Sequence, residues 1–261
     1  MVLYLQRVWS TRYFWWHLTL SDTRARFRRS YLGIIWAILN PLLLTILLTL
    51  VMSFIFKTQS LSYAPYVFSG LVVWTVITDS GNVGCDAFLK ADSYIKQFKH
   101  PVLIYSLRTV LVSMIYMLFA YSGLFIWMAI KQPNHLIISL IWFIPALISL
   151  GFIALPVSII CGVTNTKFRD FAQLLTLLFQ CIWYLSPIFI SAELLMKSKH
   201  LYVLVAYNPV YHLLELFRAP ALYGQHPAAV DFLYVLAASA LLWLLAIHLL
   251  KKNENAIIHY L

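Results

Sequence analysis

Four arginines fall within six residues of the stretch RARFRRSYLGIIWAILNP. Arg24, Arg26, Arg28 and Arg29 stand directly before an uncharged apolar run that lasts to Phe56. A guanidinium is a permanently charged planar fork suited to gripping anionic oxygens in pairs. Where a chain enters lipid, the same cluster also serves as a positive anchor. The spacing alone leaves both roles open.

A second set of polar groups lies inside the apolar runs. Gln173, Thr176, Gln180 and Tyr184 follow steps of three and four, which places them on one helix face with Trp183 at its border. Ser30, Gly33, Ala37 and Asn40 form a parallel stripe of small and polar residues, followed by Pro41. A polar stripe in hydrocarbon is either a helix contact or a wet path.

Other chemistries find little support. No G-x-x-x-x-G-K-[ST] loop cradles a nucleotide phosphate, so any energy from ATP must come through another subunit. No Asp or Glu falls in the middle of an uncharged run, and Asp79 lies just past the second, which disfavours a proton-coupled transporter. The histidines from His100 onward form no H-E-x-x-H or H-x-x-x-H pair, and the nine acids offer no close pair for a divalent metal. His212 and Glu215, three residues apart, could exchange a proton, but a polar pair at the membrane surface explains them as well. No catalytic residue and no metal ligand is assigned.

The elements that must position these groups follow from composition. The chain has 261 residues, 62% hydrophobic and 11% charged, a surface no soluble domain of this size could present. Residues 31–56, 58–78, 109–130, 136–166, 171–192 and 232–247 carry no Asp, Glu, Lys, Arg or His. A helix needs about 20 residues to cross the hydrocarbon core, and backbone in lipid must be paired internally. The expected fold is therefore all-α and integral to the membrane, with six transmembrane helices, the last taken as 232–250. With the N-terminus in the cytoplasm, the outer side holds only Lys57, Lys131, Lys197, Lys199 and Arg218 of the 19 Lys and Arg. That asymmetry places both termini inside. The net charge of +10 then reflects topology and anionic lipid rather than nucleic acid.

The connecting segments have patterns of their own. Leu5, Trp9, Tyr13, Trp16 and Leu20 recur every three or four residues, so residues 1–30 suit a helix lying in the inner interface. The start shows no removable signal peptide, and the first span is expected to insert as an uncleaved anchor. Cys85, Cys161 and Cys181 have no paired spacing. Residues 86–98 mix Asp86, Lys90, Asp92 and Lys96 with Phe88 and Tyr94, a short helix able to meet a cytoplasmic partner. Residues 192–223 contain an apolar stretch broken at Asn208-Pro209, which fits two short re-entrant helices better than a seventh span.

Six segments, taken in order, carry a likeness to a known family: RFRRSYLGIIWAILNPLL, YAPYVFSGLVVW, DSYIKQFKHPVLIYSLR, NTKFRD, SPIFI and YNPVYHLLELFR. The chain resembles the transmembrane permease subunits of bacterial polysaccharide ABC exporters, which serve O-antigen, capsule and teichoic acid export, with the O-antigen branch nearest. The likeness runs over nearly the whole chain as a single transmembrane domain.

That resemblance implies a homodimer in the bacterial inner membrane, paired with two copies of a cytoplasmic ATPase that binds ATP and Mg, with no cofactor in this chain. It implies a polysaccharide carried on undecaprenyl diphosphate as substrate. Residues 1–30 become a cytoplasmic interface helix, 86–98 the coupling helix and 192–223 periplasmic gate helices. On this basis Arg24, Arg26, Arg28 and Arg29 hold the diphosphate. Tyr31, Trp36, Asn40, Tyr66, Trp74, Gln173, Thr176, Gln180, Trp183 and Tyr184 line the channel, because aromatic faces and amides let a glycan slide. Asp86, Phe88, Lys90, Asp92, Tyr94 and Lys96 meet the ATPase, and Asn208, Pro209 and Glu215 belong to the gate. Two alternatives stay open: a membrane enzyme processing polyprenyl-phosphate-linked sugars, and a small-molecule exporter permease.

Overall fold

The computed structural model describes residues 2–28, 30–56, 60–98, 100–192, 195 and 199–260, and the regular structure among them is helical throughout. Arg29, Lys57, residues 58–59 of the second apolar run, and residues 193–194 and 196–198 of the expected gate segment lie outside the described residues. The helices are α1 (Val2–Ser10), α2 (Arg12–Phe27), α3 (Trp36–Phe56, entered through a 3-10 turn at Gly33–Ile35), α4 (Ser60–Cys85), α5 (Asp92–Gln97), α6 (Leu103–Lys131), α7 (Pro133–Lys167), α8 (Phe171–Leu185), α9 (Lys199–Ala206), α10 (Pro209–Leu222) and α11 (Ala229–Tyr260).

Among the described residues four helices are long and apolar enough to cross a membrane: Gly33–Ile55, Leu103–Lys131, Pro133–Lys167 and Ala229–Asn253. The other two expected spans differ from expectation. The second does not stop at residue 78 but continues to Cys85, so Asp79 lies inside α4. The fifth forms only the 15 residues of α8. It ends at Ser186-Pro187 because proline supplies no amide hydrogen and biases the residue before it toward extended backbone. The expected interface helix is two helices, α1 and α2, hinged at Thr11, whose hydroxyl is bonded to the carbonyls of Arg7 and Val8.

α4 is the central strut, packed chiefly against α6 and α7, while α7 also carries α10 and α11. Val67, Val73 and Val76 are fully buried, and the main core gathers around them with Tyr121, Leu150, Leu213 and Phe217. A second cluster at the α1–α2–α5 end contains Val8, Leu18, Phe88, Ile95, Ile104, Ile159 and Leu250. Glycines permit the closest helix approaches. A Cβ on Gly162 would meet the Phe88 ring at 2.8 Å, and one on Gly84 would meet Ser158 Oγ at 2.8 Å.

The segment after α8 is held by side chains rather than by helical hydrogen bonds. Arg218 of α10, fully buried, donates from Nη1 to the Pro187 carbonyl at 2.7 Å and from Nη2 to the carbonyls of Ile188 at 2.8 Å and Tyr66 at 3.1 Å. Its guanidinium carbon sits 3.6 Å from the centre of the Tyr66 ring. The Tyr66 hydroxyl contacts the carbonyls of Pro187 and Ile190 and accepts from the Ala192 amide. The Tyr63 hydroxyl donates to the Phe189 carbonyl. Unpaired carbonyls at such a site would each cost the full desolvation penalty.

Gly70 is where this clasp meets α4. A Cβ there would lie 2.4 Å from Arg218 Nη2 and 2.6 Å from the Ile188 carbonyl oxygen. Gly70→Ala is therefore expected to destabilise the protein by about 1–3 kcal/mol, the range for overpacking a well-filled site. Gly123→Ala, whose nearest contacts are ordinary at 3.5 and 3.8 Å, should be neutral within about 0.5 kcal/mol. Denaturant or thermal unfolding in detergent, run on both variants, checks the difference.

Candidate functional site

A cavity of about 470 Å³ between α3, α4 and α6 collects several of the expected groups. Each helix contributes one stripe. α3 gives Trp36, Ala37, Asn40, Pro41 and Leu44; α4 gives Leu71, Thr75 and Asp79 at steps of four; α6 gives Ser113, Tyr116, Met117 and Ala120. Trp74 and, from α8, Trp183 add aromatic wall, and Arg26 and Ser30 close the α2 side. Ser30, Ala37 and Asn40 belong to the stripe expected from the sequence. Thr75 is the one exposed residue in an otherwise buried length of α4, so the cavity is where the central helix is left uncovered.

Arg26 is held at this mouth by two contacts. Its Nη1 lies 3.4 Å from Asp79 Oδ2, with the arginine side chain 49% and the aspartate 20% exposed. Its guanidinium carbon stands 4.0 Å from the centre of the Tyr116 ring, a cation–π contact that leaves the planar edge turned to other acceptors. One turn earlier in α2, Asp22 accepts from Arg108 Nε at 2.6 Å. That pair fixes α2 against α6 and so sets where Arg26 can reach.

The other expected residues are distributed as follows. Arg24 and Arg28 are exposed, and neither lines the cavity. Tyr31 is fully exposed beside it. Tyr66 is buried under Arg218, with its hydroxyl committed to the Pro187–Ala192 segment, so it lines no channel in this conformation. Gln173, Thr176, Gln180 and Tyr184 form an exposed stripe along α8, as their spacing required. Thr176 Oγ1 reaches Asn82 Oδ1 at 3.4 Å. Trp183 stacks on Phe189 with ring centroids 4.6 Å apart, and Trp74 meets Phe179 edge-on at 5.9 Å. Those two contacts bind α8 to its neighbours by its inward face.

Just past the C-terminal end of α4, Phe88 is completely buried against Gly162, contrary to its expected place on a partner-facing surface. Ala91 and Ile95 join it, being spaced to share one side of the turn and α5. Lys90, Tyr94 and Lys96 stay exposed, with Asp86–Lys90 and Asp92–Lys96 paired at 3.3 and 2.8 Å. Among the gate residues, Asn208 caps α10, accepting from the Val210 amide at 2.9 Å while its amide reaches Ser186 Oγ at 2.9 Å. Pro209 takes the first helical position, where no amide hydrogen is needed. Glu215 is partly buried on α10 and is not the partner of His212. His212 Nδ1 lies 2.7 Å from Asp231 Oδ1 and its Nε2 lies 2.9 Å from the Ala206 carbonyl, with the ring stacked on Tyr234 at 4.0 Å.

Asp79, Tyr116 and Arg218 were not singled out as site residues from the sequence. Asp79 is the only carboxylate in α4, which is a usable signal. Tyr116 is one of 16 tyrosines and gives none.

The chain is similar in sequence to several known proteins. The family described as ABC-2 type transporter matches residues 13–222. The O-antigen export system permease protein RfbA of Klebsiella pneumoniae is 24% identical over 197 residues, 74% of each chain. The polysialic acid transport protein KpsM of Escherichia coli is 23% identical over 249 residues, covering 92% of this chain and 93% of its own. An O-antigen export permease of Myxococcus xanthus is 23% identical over 237 residues, 87% of each chain.

The packing of α8 makes one expectation simple to check. Cys181 lies on the exposed side of α8, whereas Cys85 and Cys161 are buried. With N-ethylmaleimide, the folded protein should take up one adduct, at Cys181, and three only after denaturation, since access limits thiol reactivity. Mass spectrometry of tryptic peptides reads this directly. Protection of Cys181 in the folded protein would mean that this face of α8 is covered in the intact assembly.

Proposed function

The chain belongs to the ABC-2 type transporter family, and from that premise we propose that it is the channel-forming permease of an ATP-driven exporter that moves polysaccharide on undecaprenyl diphosphate across the bacterial inner membrane. O-antigen is the favoured cargo. The observation that carries this is the cavity at Arg26. A half-exposed guanidinium stands at the mouth, and Asn40, Ser113, Trp36, Trp74 and Trp183 line the wall behind it. A diphosphate suits the charged mouth, while aromatic faces and small polar groups suit sugars that must pass without being held.

The permease has no ATPase function of its own in this account. ATP and Mg are bound by two copies of a cytoplasmic partner, which dock on the exposed side of α5 through Lys90, Tyr94 and Lys96. Phe88, being buried, anchors that helix from behind. Two copies of the chain face each other, the exposed polar stripe of α8 turned to the shared path. Six crossings per chain, with both termini cytoplasmic, put α1, α2 and α5 inside. α9 and α10 then form the periplasmic gate. Relatives named for O-antigen export and polysialic acid transport support the substrate class.

Deleting the gene tests the transport step. Surface polysaccharide is expected to disappear while lipid-linked polymer accumulates inside the same cells, measured by gel analysis of both fractions. Loss of both pools would point instead to a biosynthetic enzyme. For coupling, Tyr94→Asp and Lys96→Glu should cut substrate-stimulated ATPase activity of the purified complex about tenfold, the size expected for removing a central contact of a protein interface. Membrane abundance should be unchanged, because both side chains are exposed.

A further inference from the structure

The Arg26 guanidinium already has an anionic partner, and that partner bears on selectivity. Asp79 reaches it through a single contact of 3.4 Å, with half of the arginine side chain open to the surroundings. A monodentate pair of this length and exposure is weak. A phosphate can offer the fork two parallel hydrogen bonds instead. Tyr116 supports the guanidinium from its face at 4.0 Å, so the group stays at the mouth when the carboxylate lets go. Asp79 itself cannot withdraw, since it is fixed on the most deeply packed helix and borders the same cavity.

We propose, resting on the diphosphate reading above, that Asp79 is a specificity-determining residue that competes with the arriving phosphate for Arg26. A strongly charged diphosphate displaces the carboxylate. A singly charged lipid headgroup does so poorly, and the mouth is thereby kept clear of the anionic lipid that surrounds it in excess. The carboxylate also repels whatever anion has docked beside it, which keeps the hold weak enough for onward movement.

The test uses the full-length protein in phosphatidylcholine nanodiscs, with radiolabelled geranylgeranyl diphosphate as probe and geranylgeraniol and phosphatidylglycerol as competitors. Asp79→Asn is expected to bind the diphosphate about tenfold tighter and to gain more for phosphatidylglycerol, so that discrimination between the two falls. Asp79→Glu should restore it. In the Arg26→Gln background the Asp79→Asn gain should vanish, a coupling that a purely structural role for Asp79 would not produce. Geranylgeraniol should compete equally in all variants. If the wild-type protein binds the diphosphate saturably and Asp79→Asn gains nothing, or gains equally without Arg26, the role of Asp79 is refuted and the diphosphate reading stands. If neither protein binds the diphosphate, both fall.

Discussion

Four consecutive carbonyls, from Pro187 to Ile190, leave the regular helix at the end of α8, and the rest of this end of the molecule is arranged around satisfying them. Water does so cheaply at a protein surface, but non-helical backbone at membrane depth must find its donors within the protein. Arg218 serves Pro187 and Ile188, the single hydroxyl proton of Tyr66 lies within reach of Pro187 and Ile190, and Tyr63 serves Phe189. This explains why a fully buried arginine is tolerated without a carboxylate in hydrogen-bond contact. Its charge is spread over three carbonyl dipoles and an aromatic face. The same contacts join α4, α8 and α10 at one point, so the position of α10 follows from the need to cap a broken helix.

Charge is handled differently in two other places. His212 sits between Asp231 and the Ala206 carbonyl, so both ring nitrogens face acceptors, and α10 is tied to α11. Arg26 is left with one long contact and a supporting ring, at a cavity into which α4 brings Thr75 and Asp79. His212 has both ring nitrogens facing acceptors, and Arg218 is fully buried with its one unpartnered donor, Nε, closed off from the surface, so neither has spare valence open to a ligand. Arg26 does, and the proposed binding role rests on that contrast more than on the number of arginines nearby.

Much of this was legible in the sequence for reasons of period and local chemistry. Most of each uncharged run became helix, Asn208-Pro209 opened α10 because a capping amide followed by proline suits a helix start, and Ser30, Ala37 and Asn40 reached a common wall because helical spacing put them on one face. What escaped depended on contacts distant in sequence. Arg218 meets Tyr66 across 152 positions, and no local pattern marks either as a partner. α4 runs on through Asp79, Ser80 and Asn82 because α7 and α8 cover it, although those residues read as a helix ending. Phe88 looked partner-facing because a short loop has too few turns to reveal which side is inward, and only the notch at Gly162 decides it.

That notch has a mechanical meaning. Phe88 fits against α7 like a tooth in a rack, so a push on α5 is delivered into α7 instead of being lost in a slack loop. α7 is 35 residues long, a rod of about 50 Å at 1.5 Å per residue. Pro145 and Pro156 interrupt its hydrogen-bond ladder and divide it into stiff segments with two compliant joints. Because α10 and α11 rest on that rod, a displacement at one end of the molecule would reach the other as a tilt, and the prolines mark where it would begin.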